Sequence, residues 1–208
     1  MTHGIDEAIF HVSSALEVPI LILALLALAV TLVEAGGFLV ELSRRRQRGF
    51  AQVSRAAEAA RAAFDRDDHD GMVQSLEALA WSEPLAKTLR SIGDDLGDPL
   101  AEPKIAKSLA DFDFDAQRRL GRTRLLVRFG PALGLMGTLI PLSPALDGLA
   151  RGNVTQLSHD LRVAFSVTVL GLLIGAIAFG LSLYRDRMYG QDLSDLEYVA
   201  AVLTADPK

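Results

Sequence analysis

Two threonines, Thr138 and Thr168, stand in apolar runs without charge, each on a stripe of small residues. Around Thr138 the chain reads GPALGLMGTLIPL (130–142), so Gly130, Gly134, Gly137, Pro141 and Pro144 line up near one face. Around Thr168, the residues Ala164, Gly171, Gly175, Ala178 and Ser182 recur at steps of three and four, which is one helical face. Inside a bilayer, a hydroxyl can hold water or relay a proton without the cost of a buried charge. The same residues serve a simpler purpose equally well: small side chains let helices approach, and a threonine bonds back to its own helix. Residue types leave both readings open.

Other candidates are fewer. Glu34 is the one carboxylate inside an apolar run, toward the end that meets Glu41 and an arginine cluster. It serves either ion exit or assembly, or it sits at an interface. His159 and Asp160 precede the last apolar run and would gather protons at an entrance, or cap a helix together with Ser158. The stretch RDDHDGMVQSLE nearly fits a calcium loop through Asp68, Asp70, Gly71 and Glu77. Arg66 occupies the first ligand position, so a solvated turn is expected. His3, His11 and His69 have no metal spacing, and there is no cysteine. No nucleophile–base pair stands out, so no enzyme, cofactor or metal is expected.

The elements that position the threonines are membrane helices. The chain has 208 residues, half of them hydrophobic, and a net charge of −5 that does not suggest nucleic-acid binding. Three runs are long enough to cross a bilayer, which takes about 20 residues: 18–40, 126–146 and 162–184. Asp6, Glu7 and Glu17 precede the first run where a signal peptide would be basic, so it reads as a retained anchor. Arginines follow the first span (Arg44, Arg45, Arg46, Arg48), precede the second (Arg118, Arg119, Arg122, Arg124, Arg128) and follow the third (Arg185, Arg187). Positive charge marks the cytoplasmic side. Residues 1–17 are therefore expected outside, as an amphipathic surface helix with Ile5, Ile9, Val12 and Leu16 on one face. Residues 41–125 form a cytoplasmic helical region, 147–161 a short outer loop, and 185–208 a cytoplasmic tail holding a short helix. Stripes at Val53, Ala57, Ala60 and Phe64, and at Ile105, Leu109, Phe112, Ala116 and Leu120, make the inner region helical. The fold class expected is all-α, with three transmembrane helices, the first two extended into a cytoplasmic helical bundle.

The two threonine stripes resemble the MotA/TolQ/ExbB proton-channel family, closest to its three-span TolQ/ExbB type. Pro131, Gly134, Leu135, Gly137 and Thr138 match a Pro-x-x-Gly-Leu-x-Gly-Thr pattern, and Thr168, Gly171 and Leu172 match Thr-x-x-Gly-Leu. Pro141 departs from the pattern, where relatives carry glycine, and Val163 and Ala164 stand where ExbB-type chains carry a glutamate, as in a divergent branch. The resemblance implies a homopentamer in the inner membrane of a prokaryote. It would enclose two single-span partners of ExbD, TolR or MotB type, which bear the titrating carboxylate. It implies that Thr138 and Thr168 line an ion pathway, with Pro131, Gly134, Gly137, Pro141, Gly171 and Gly175 shaping the helices around it. A non-conducting membrane scaffold is the alternative.

Overall fold

The structure, a computed structural model, describes residues 2–45 and 49–205. Arg46 and Arg48 of the expected basic cluster, and residues 1 and 206–208 of the expected terminal segments, lie outside the described residues. Among the described residues every regular element is a helix: α1 (Thr2–Ala15), α2 (Glu17–Arg45), α3 (Phe50–Phe64), α4 (His69–Glu77), α5 (Glu83–Asp94), α6 (Ala101–Ala150) and α7 (Val154–Thr204). Three of them, α2, α6 and α7, are long and apolar enough to cross a membrane. The protein is an all-α, multi-pass membrane protein.

The chain divides into two compact units, one of residues 1–38 and 121–183 and the other of residues 39–120 and 184–208. The first unit holds the apolar parts of α2, α6 and α7. Its outward surface is covered with large apolar side chains such as Leu25, Val33, Leu139, Phe165 and Val169. Water would not tolerate such a surface, whereas lipid does. Pro19 in the first turn of α2 has no N–H for the carbonyl four residues back, and its ring crowds that carbonyl, which places the break between α1 and α2 at Leu16. Ile5, Ile9 and Val12 of α1 and Leu16 just after it are exposed, so none of the described residues covers this stripe.

The connection expected over 147–161 is itself mostly helical. Only 151–153 separate α6 from α7. Gly152 has φ 79°, and the amides of Gly152 and Asn153 bond to the carbonyls of Leu149 and Gly148, closing α6 with a Schellman motif. The Asn153 side chain then accepts from the Gln156 amide at 3.1 Å and opens α7. Ser158 and Asp160 therefore lie inside α7 and do not cap it.

The second unit has a core built from α3, α4, α5, the N-terminal part of α6 and the C-terminal part of α7. Val53, Ala57, Ala60, Met72, Leu76, Leu89, Ile92, Phe112, Leu196, Val199 and Leu203 are buried together. The first turn of α5 contains Pro84, which accounts for the interruption read at Ser82-Glu83-Pro84. The tail after the third span is no separate short helix, because α7 runs unbroken to Thr204. It continues because Met188, Tyr189, Leu196, Val199 and Leu203 keep a buried stripe with no proline to stop it.

The near-calcium stretch is a helix junction. Asp67, at φ 60°, ends α3, and the Asp68 side chain caps α4 by accepting the Gly71 amide at 2.9 Å. Asp68→Ala is expected to lower stability by about 1 kcal/mol, as loss of a helix N-cap does. Calcium should leave the unfolding midpoint of the unsubstituted chain unchanged, and thermal melts with and without calcium check both.

Candidate functional site

The small residues of spans two and three face each other within one chain. A Cβ at Gly130 would lie 2.7 Å from the Gly171 carbonyl oxygen and 2.8 Å from the Gly175 nitrogen. One at Gly171 would lie 2.7 Å from the Gly134 Cα, with the Gly130 carbonyl nearer still. One at Gly175 would meet the Pro131 ring at 2.9 Å, and one at Gly137 would meet the Val167 side chain. The facing atoms at Gly130 and Gly171 are mainly backbone, which cannot turn aside as a side chain can. This is why glycine rather than alanine fills these positions, at a cost in helix propensity that close packing offsets.

Thr168 sits in this seam, half-buried. Its Oγ1 donates to the Gly134 carbonyl across the helix pair and to the Ala164 carbonyl of its own helix, both at 3.2 Å. Thr138 lies at the flank of the seam, half-exposed, and donates to the Leu135 carbonyl at 2.8 Å. Both hydroxyls are thus satisfied within the chain. A threonine oxygen keeps acceptor capacity after donating its proton, so each still presents a polar atom in an apolar setting.

Three prolines interrupt the hydrogen-bond ladder of α6 without ending the helix. Pro131, Pro141 and Pro144 all lie inside the helix. Each lacks the N–H that would serve the carbonyl four residues back, leaving Val127, Gly137 and Ile140 without that helical donor. Pro141 is buried, and with Gly137, Ile140 and Val163 it lines a small gap closed by Glu17, Ile20 and Leu21 of α2. The N-terminal end of α2 therefore packs on the α6–α7 seam beside Gly137. Deeper in α2, Thr31 is fully buried and donates to the Ala27 carbonyl at 2.7 Å.

The remaining candidates do not converge on the threonines. Glu34 is half-buried on α2, seven residues before Glu41. His159 Nδ1 lies 3.5 Å from Asp160 Oδ1 at the exposed start of α7. Among the described residues no group of three or more histidine, aspartate or glutamate side chains is placed to hold a metal ion.

Sequence reading missed a polar cluster in the second unit. Arg185 and Asp192 of α7 are almost fully buried. Arg185 donates to Glu41 at 3.3 Å, and Arg45 and the Trp81 indole both donate to Asp192, at 3.2 and 3.3 Å. Tyr189, between them on α7, has its pKa raised by burial and then by the nearby Glu41 charge, against the pull of Arg185 and Arg119. Its hydroxyl stays protonated well past neutral pH. The only sequence signal was the spacing of charged residues on the buried stripe of α7.

Residues 82–191, just over half of the chain, match the family model described as the MotA/TolQ/ExbB proton channel family. That stretch contains both threonines and the whole glycine seam. Comparison with curated proteins finds no match.

Proposed function

The chain belongs to the MotA/TolQ/ExbB proton channel family, and from that premise we propose that it is the channel subunit of a membrane motor. Protons flow inward between this chain and a single-span partner of ExbD, TolR or MotB type, and the flow drives mechanical work. The subunit is a homopentamer around a dimer of that partner, in the inner membrane of a prokaryote, with the N-terminus outside and the C-terminus in the cytoplasm. It performs no enzymatic step and uses no cofactor.

One observation carries this reading. Between Arg128 and Asp147, and between Arg162 and Arg185, there is no aspartate, glutamate, histidine or lysine. These two spans hold Thr138 and Thr168 but no group that titrates near neutral pH. A wall that supplies hydroxyls and space suits a pathway whose carboxylate comes from a partner. The arginines at the inner ends of all three spans support the orientation. The bare apolar stripe on α1 suits a helix lying on the outer membrane surface.

The scaffold reading rests on its own observation, that the glycine seam and both hydroxyls are satisfied inside one chain. Proton uptake by liposomes holding the chain with a single-span partner decides between them. The channel reading expects flux that disappears when the partner's intramembrane carboxylate is replaced by its amide. A well-assembled complex without flux, even with a partner truncated to its activated form, would establish the scaffold.

A further inference from the structure

In the second unit the inner ends of α2 and α7 meet through two ion pairs of opposite sense. On α2 the order is Glu41 then Arg45. On α7 it is Arg185 then Asp192. Glu41 pairs with Arg185 at 3.3 Å and Arg45 with Asp192 at 3.2 Å. Three of the four side chains are at most 14% exposed, and Asp192 only 1%. The Trp81 indole, from the connection between α4 and α5, donates to the same Asp192 oxygen that Arg45 uses.

We propose that Glu41, Arg45, Arg185 and Asp192 form a register lock that holds the helix of the first span against the helix of the third, and that they are positioning residues of the channel subunit. The charge order is what makes it a lock. Both helices run the same way past the rungs, as both leave their spans. If α2 slid by about one turn in one direction, Arg45 would take the place of Glu41 and face Arg185. In the other direction Arg185 and Asp192 stand seven residues apart, so a slide of about two turns would bring Glu41 opposite Asp192 and leave Arg185 without its carboxylate. Each displacement sets like charges together in a site that water barely reaches, where repulsion is strong. An apolar contact of the same size would tolerate such a slide, as lipid-facing and apolar helix surfaces do. Buried pairs often add little net stability over apolar replacements, and fixing a register is their best-attested use. Asp192 also receives the indole, so the lock takes in the α4–α5 connection.

The pairing does not depend on whether the chain conducts, so its failure and the failure of the channel reading are separately visible. The test uses the full chain in detergent, reading the thermal unfolding midpoint and the emission of Trp81, the only tryptophan. E41R and R185E should each lower the midpoint by roughly 10 °C, since breaking a buried pair leaves a charge unpaired. The double reversal E41R/R185E should recover at least half of the combined loss. Asp192→Asn serves if the reversals do not fold. It keeps an oxygen for the Trp81 indole and removes the charge that Arg45 needs. It should lower the midpoint while leaving Trp81 emission near that of the unsubstituted chain. A double reversal as damaged as the sum of its parts, or an Asp192→Asn chain indistinguishable from the unsubstituted one, would overturn the lock.

Discussion

Gly171→Val should keep α6 and α7 from reaching their native separation. The first atom of the new side chain would lie 2.7 Å from the Gly134 Cα and 2.8 Å from its nitrogen, and the Gly130 carbonyl is nearer still. None of these atoms ends a flexible side chain, so relief requires the two helices to part along the whole seam. Parting would also break the bond from Thr168 to the Gly134 carbonyl. The expected cost is more than about 4 kcal/mol, in the range reserved for severe overpacking. In practice the chain purified in detergent should lose its cooperative melt and its monodisperse elution. Gly180→Ala is the control on the same helix. A Cβ there meets nothing within 4 Å, so alanine should change the midpoint little or raise it through better helix propensity, worth about 1 kcal/mol. A Gly171→Val chain that melts within two degrees of the unsubstituted one would contradict the seam.

The seam shows where sequence reading carries and where it stops. Steps of three and four put Thr168, Gly171 and Gly175 on one face, and apolar runs of sufficient length pointed to three membrane helices, because both signals are local along the chain. Which small residue meets which is a matter of distance in space. Gly134 faces Thr168, 34 residues away, and no local pattern gives that pairing. The same limit hid the register lock. Its rungs join residues 144 and 147 positions apart. Arg185 and Asp192 interrupt the apolar stripe of α7, so by hydropathy the third helix ended near Leu183 and its tail looked like a separate piece. Burial of charged residues is rare enough that patterning assigns them to solvent. Here each is buried because its partner is present. The near-calcium stretch is the opposite case: Asp68 and Gly71 have a metal-loop spacing that also suits an N-cap, Arg66 pointed to a solvated turn, and an Asp68 cap at a helix junction is what forms.

Thr168→Val should separate chemistry from packing. Valine keeps the branched shape and removes the hydroxyl, so the loss of fold is limited to one interhelical bond, about 0.6 kcal/mol on average within a membrane and up to about 1.7. The unfolding midpoint should fall by a few degrees at most. Proton flux in the liposome assay should fall at least tenfold, because a relay needs an exchangeable proton at that depth. Thr168→Ser is the converse: it gives up the methyl group, keeps the hydroxyl, and should retain most of the flux. The geometry favours a hydroxyl that can let go of its proton. Its donation is shared between two carbonyls at 3.2 Å, longer than the usual range for an O–H donor, so neither bond holds it firmly. Thr138 is held differently, by one 2.8 Å bond to Leu135 on its own helix. Thr138→Val should therefore leave the midpoint unchanged while still reducing flux. If flux in all three variants instead tracks the amount of folded protein, the hydroxyls serve packing alone, and the pathway must run along other residues or not exist.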